Sequence, residues 1–186
     1  PGMELVVPRY YVYEDVPLRT DMRGDSSHIA FDYILDAGRT PIHSYCDLSI
    51  GLRHMPVADT TKYYIVQKAG KWRSSMGGKY ANGWIKTRVR SLGTFSVDVD
   101  TIAPQITPIG QGGWRTSRNI RFRIKDMESG IGSYKVYIDG KFVLFGRKKG
   151  ILVIQNPEKV KKGGSHKLEV TVTDQCGNMT RKEYKF

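Results

Sequence analysis

Cysteine, histidine and unbroken apolar sequence are all scarce in these 186 residues, and each scarcity closes off a class of function. The two cysteines, Cys46 and Cys176, lie far apart, unlike the dense spacing of a disulfide scaffold. Cys46 shares strand phase with Leu48 and Ile50 and is expected to be a buried small apolar side chain. Cys176 sits in the turn Asp174-Gln-Cys-Gly-Asn178 without the basic neighbour that a reactive thiol needs. The four histidines, His28, His43, His54 and His166, form no His-x-His pair, whereas a hydrolytic zinc takes about three protein ligands and leaves one position open. His28 and Asp32 do have a four-residue spacing, but along a strand at ~3.3 Å per residue they would stand about 13 Å apart. No metal, cofactor or catalytic residue is expected. No apolar run approaches the ~18 residues of a spanning helix, so no membrane segment is expected. Pro1-Gly2-Met3-Glu4-Leu5 lacks the basic and apolar regions of a secretory signal, which is expected to be absent or removed. Nucleophile elbows, phosphate-binding glycine loops, dinucleotide fingerprints and EF-hand loops are missing as well. Asp98, Asp100, Asp126 and Glu128 would have to converge to act as a glycosidase pair; turn and linker roles are expected for them instead.

Helical periodicity is also lacking, and a period of two takes its place. Leu168, Val170 and Val172 alternate with Lys167, Glu169, Thr171 and Thr173, as a strand with one dry face requires. Ile120, Phe122 and Ile124 alternate with Arg121, Arg123 and Lys125 in the same way, and Tyr134, Val136 and Ile138 run up to Asp139-Gly140, a hairpin signal. Phe95, Val97 and Val99, and Ile85, Thr87 and Val89, repeat the pattern upstream. Residues 45–54 are ambiguous, and Val57 to Thr61 has room for one helical turn. Strands at intervals of about eight to twelve residues, separated by Gly, Pro, Asn and Asp, predict an all-β chain of the sandwich or barrel kind.

A boundary is expected near Pro104, because Pro104 and Pro108 interrupt any central strand. It divides the chain into 1–104 and 105–186, and charge divides with it. The first part holds 13 Lys or Arg against 11 Asp or Glu, the second 17 against 7, so nearly all of the net charge of +12 belongs to the second. Arg121, Arg123 and Lys125 should form a stripe on one face, while Arg147, Lys148 and Lys149, and Lys159, Lys161 and Lys162, punctuate two loops. Such a surface can hold an anionic polymer or simply be a solvated face. Nucleic acid is not expected, since Phe122, Tyr134 and Phe142 fall in phase with the core and leave no stacking platform. Of the three tryptophans, Trp72, Trp84 and Trp114, the last two are the candidates for stacking on sugar. Trp84 is out of phase with Ile85 and Val89, and Trp114 follows Gly112-Gly113 in a loop.

Longer stretches carry a family resemblance. Phe95-Ser-Val-Asp-Val-Asp-Thr-Ile-Ala-Pro104-Gln-Ile-Thr-Pro108, Ile120-Arg-Phe-Arg-Ile-Lys-Asp-Met-Glu-Ser-Gly130-Ile, Tyr134-Lys-Val-Tyr-Ile-Asp-Gly140 and Leu168-Glu-Val-Thr-Val-Thr-Asp-Gln-Cys-Gly-Asn178 resemble the carboxy-terminal half of lysostaphin-type (LytM-like) zinc peptidases from Gram-negative gut bacteria. Tyr11-Val-Tyr-Glu-Asp15, Arg39-Thr-Pro-Ile-His43 and Ser74-Ser-Met-Gly-Gly-Lys-Tyr-Ala-Asn-Gly83 resemble the domain that follows the peptidase in those proteins. The resemblance implies two tandem immunoglobulin-like or fibronectin-like β-sandwich domains belonging to a zinc metallopeptidase whose catalytic domain is not in this chain. The expected function is therefore non-catalytic: an accessory region of a cell-envelope peptidoglycan peptidase, in the periplasm or at the cell surface. It would position the missing upstream peptidase domain or dock on peptidoglycan or lipopolysaccharide. The alternative is a free-standing adhesion or glycan-binding protein of the cell surface.

Overall fold

Each alternating stretch becomes a strand whose apolar side chains meet those of a second sheet. The computed structural model describes residues 2–12, 15–38, 40–155 and 164–186. Its contacts divide the chain into two units, Pro1–Asp100 and Thr101–Phe186, and residues 101–104 are uncharged, so the second unit still carries nearly all of the net charge.

In the first unit, β1 (Met3–Val6), β4 (Cys46–Gly51), β8 (Trp84–Val89) and β7 (Lys79–Ala81) pair in that order. The facing sheet runs β2 (Arg19–Arg23), β3 (Asp32–Asp36), β9 (Gly93–Val99), β5 (Tyr63–Ala69) and β6 (Trp72–Ser75). Leu48, Ile50, Ile85 and Val89 from one sheet pack on Tyr33, Leu35, Ile65 and Phe95 from the other, which makes this a β-sandwich. Before β5 a single 3-10 turn spans Thr60–Lys62, capped by Asp59, whose carboxylate accepts the Thr61 N–H at 3.0 Å. Tyr63 closes the same corner: its hydroxyl donates to the Val57 carbonyl at 2.6 Å and accepts the Val57 N–H at 2.9 Å.

The second unit is also a sandwich. One sheet runs β10 (Gln105–Ile109), β11 (Asn119–Lys125), β15 (Ile151–Gln155) and β14 (Phe145–Lys148); the other runs β13 (Lys141–Phe142), β12 (Ile131–Ile138), β16 (Lys167–Asp174) and β17 (Met179–Lys185). Ile120, Phe122, Ile124 and Leu152 meet Val136, Val170 and Val172 between them. Pro108 lies inside β10 rather than ending it, because β10 is an edge strand, where a missing N–H leaves no ladder bond unmade. The β10 carbonyl of Ile106 accepts the Lys182 ammonium at 3.0 Å, and that of Pro104 accepts the Thr180 hydroxyl at 2.5 Å.

Two expectations are corrected here. Trp114 is 1% exposed and is no sugar platform: the 3-10 turn Gln111–Gly113 folds its indole into the core, where it meets Phe122 and Tyr184 edge-on at 4.8 and 5.6 Å, and its Nε1–H donates to the Ile109 carbonyl at 2.8 Å. Phe142 is 54% exposed instead of lying in the core, because the Asp139-Gly140 turn registers it against Tyr137, on the outer face of its sheet.

Two of the stretches quoted for the resemblance contain turns fastened by an aspartate. Asp126 accepts the Gly130 N–H at 2.6 Å and the Glu128 N–H at 3.2 Å, closing the loop into β12. Asp174 does the same between β16 and β17, accepting Cys176 N–H at 2.8 Å, while the Gln175 N–H reaches back to the Gly130 carbonyl at 3.0 Å. Each carboxylate thus accepts backbone N–H groups of the turn that follows it.

Candidate functional site

The two outer faces of the second unit carry charge in different ways. On the β12–β16–β17 sheet, Glu169 lies directly opposite Glu183, a like-charge pair that would repel. Lys167 and Arg181 interlock them. Lys167 Nζ is 2.7 Å from Glu169 and 3.0 Å from Glu183, and the Arg181 guanidinium is 2.9 Å from Glu169. Lys167 holds the Glu169 carboxyl below its usual range, and the two glutamates hold the Lys167 ammonium above its own.

The opposite face has cations without such partners. Arg121, Arg123 and Lys125 project from β11 on alternate residues, all exposed, so the stripe spans about 13 Å at ~3.3 Å per residue. Lys148 of β14 joins them, because Lys148 pairs with Ile151 and Ile151 with Arg123 across the sheet. Among the described residues no carboxylate forms an ion pair with any of these four. Arg147 turns away: it registers against buried Leu152, and its guanidinium lies 5.8 Å from the Tyr134 ring of the other sheet. Lys149 occupies the β14–β15 hairpin turn at a φ of +49°. Lys159, Lys161 and Lys162 lie outside the described residues.

In the first unit the remaining sequence candidates separate. His28 Nδ1 is 2.9 Å from Asp25, whose carboxyl is held well below its usual range, first by Ser27 and then by His28. Asp32 opens β3 and pairs with Lys68 at 2.5 Å, so His28 and Asp32 are engaged by different partners. Asp98 is taken by Arg73. Cys46 is buried, which pushes its thiol up, and it forms no bridge with Cys176.

A family profile for the Zu5-like domain matches residues 1–100, more than half of the chain. The chain belongs to the Zu5-like family. The match covers the first of its two units and leaves the basic one outside. Among solved structures the chain is similar to fibronectin(III)-like modules of CbhA from Clostridium thermocellum, at 16% identity and a TM-score of 0.33, over 75% of this chain and 83% of that one. It is also similar to the glycoside hydrolase domain of Spr0440, Endo-D from Streptococcus pneumoniae R6, at 12% identity and a TM-score of 0.32, over 99% of this chain and 36% of that one. No curated protein matches.

On the Zu5-like unit, Trp84 is half-buried on the outer face of β8. Trp72, which sequence phase did not single out, is 81% exposed at the head of β6. The missed signal was local: Gly70-Lys71 is a hairpin turn, and Trp72 is the first residue beyond it. The same unit holds an apolar cavity of about 230 Å³, lined by Leu5, Val16, Leu18, Ile42 and Leu92 with one carboxylate, Asp15. Among the described residues, no helix is long and apolar enough to cross a membrane.

Proposed function

We propose that the chain is a non-catalytic accessory region that holds a cell-envelope peptidase against an anionic polymer of the envelope, with the β11 face of the second unit as its contact. The observation that carries this reading is the contrast between the two outer faces. One holds two carboxylates, Glu169 and Glu183, that engage Lys167 and Arg181, and the other carries no carboxylate and presents Arg121, Arg123, Lys125 and Lys148 without ion-pair partners among the described residues. A row of cations gains binding energy from a polyanion by releasing the counterions that both carry. Phosphates of lipopolysaccharide and carboxylates of peptidoglycan are polymers of that class. The sequence resemblance to the region downstream of lysostaphin-type peptidases supplies the catalytic partner and the periplasmic or surface location.

Retention of the purified chain on insoluble peptidoglycan and on immobilised lipopolysaccharide, measured across a salt series, tests this. Retention should fall steeply with salt and be lost in the Arg121→Glu, Arg123→Glu variant. Absence of retention at low salt would overturn the reading. The glycan-binding alternative rests on exposed Trp72 and predicts the reverse pattern: salt-insensitive retention on neutral glycan that disappears in Trp72→Ala.

A further inference from the structure

At one edge of the second unit the chain leaves β13 in one sheet and enters β14 in the other through Val143 and Leu144. Side chains alternate through this crossing. Val143 and Phe145 pack against the core, which turns Phe142 and Leu144 outward. Leu144 is 83% exposed, and Phe142 lies beside it in edge-on contact with Tyr137 at 5.9 Å and Phe145 at 6.2 Å. Two large apolar side chains thus stand exposed at an edge that nothing among the described residues covers.

The charge around them is predominantly positive. Lys141, Arg147, Lys148 and Lys149 are all exposed within five residues of Leu144. Between residues 131 and 155 the single carboxylate is Asp139. Both of its oxygens are occupied, one by His166 Nδ1 at 2.7 Å and the other by the Lys167 N–H at 2.9 Å. Glu169, which faces Tyr137 across the sheet, is tied to Lys167 and Arg181.

We propose that this edge seats on an anionic lipid bilayer, with Phe142 and Leu144 inserted at headgroup depth and Lys141, Arg147, Lys148 and Lys149 against the lipid phosphates. An apolar tip ringed by Lys and Arg binds acidic membranes through buried area and charge together. A protein partner fits these residues less well, since Lys is depleted from protein interfaces and Leu is under-represented among their energetic centres. Apart from Lys148, these residues are distinct from the β11 stripe, so the two readings fail separately.

Co-sedimentation of the full chain with vesicles of phosphatidylcholine, with and without phosphatidylglycerol, is the test. The chain should bind only the vesicles that contain phosphatidylglycerol, and Phe142→Ser with Leu144→Ser should weaken binding by on the order of tenfold or more while the variant still melts cooperatively; Leu144→Ser alone, at the more exposed position, should weaken binding with little change in the melt. In Leu144→Trp, emission at the tip should shift to the blue on those vesicles and be quenched by brominated acyl chains. Failure of the wild type to bind, with peptidoglycan retention intact, would overturn the lipid seat and leave the polymer reading standing. Equal vesicle binding by the double serine variant, or a concentration-dependent dimer that this variant abolishes, would also overturn it.

Discussion

Asn178 grips Asp174 twice: its backbone N–H donates to Oδ1 at 2.9 Å and its side-chain amide to Oδ2 at 2.8 Å. The Cys176 N–H is a third donor on the same buried carboxylate. Asp174→Ala should therefore cost about 3 kcal/mol, since the freed donors sit where water cannot replace the charge. Denaturant unfolding gives the magnitude, and hydrogen exchange should localise the lost protection to β16 and β17.

Gly132 has a different reason to be glycine. A Cβ there would lie 2.5 Å from the Asp174 carbonyl oxygen, at a β-bulge where β12 shifts register against β16. Gly132→Ala must push two backbones apart, so a loss of about 2 kcal/mol or more is expected. A calorimetric Tm within a degree of wild type would refute the close approach.

Tyr184 offers the opposite change. Its hydroxyl is buried with no hydrogen-bond partner among the described residues, and burial pushes its pKa up. Tyr184→Phe keeps the ring against Trp114 and Phe122 and removes the desolvated oxygen. Stability should rise by about 1 kcal/mol, seen as a Tm higher by a few degrees.

Asp139 sets an acid-side dependence. His166, and after it the Lys167 N–H, hold its carboxyl below the usual 3.8. A lowered carboxyl stabilises the fold above that usual value and ceases to do so as pH falls through the folded one. Wild type should accordingly exceed Asp139→Asn in stability near neutrality, and the gap should close below about pH 4. Half-exposed Asp139 is screened by solvent, so the gap is small, and paired melts across pH are the suitable measurement.

Most of this architecture was legible wherever one face of a strand is dry. β8, β11, β12 and β16 announce themselves by alternation because their apolar residues fall on one buried face, and β9 alternates in sequence although Phe95, Ser96 and Val97 are buried in a row. β2 does not, since all five of its residues are exposed and its pairing comes from β3 alone. Trp114 misled for a related reason: a loop residue has no phase to read, and only the 3-10 turn before it decides where the indole goes. The stripe of Arg121, Arg123 and Lys125 followed from periodicity, but the addition of Lys148 and the departure of Arg147 depend on cross-strand register, which a single strand's sequence does not contain. The outward Phe142 is the same lesson at a sheet crossing.

The β10 edge has one further consequence. Pro108 offers no N–H to a newcomer, and the carbonyls of Pro104 and Ile106 are already occupied by Thr180 and Lys182. That border cannot template another chain, which is the usual route by which sandwich domains coalesce into fibrils when crowded. Copies packed side by side at high local density would stay individually folded along this flank, each closed to its neighbour.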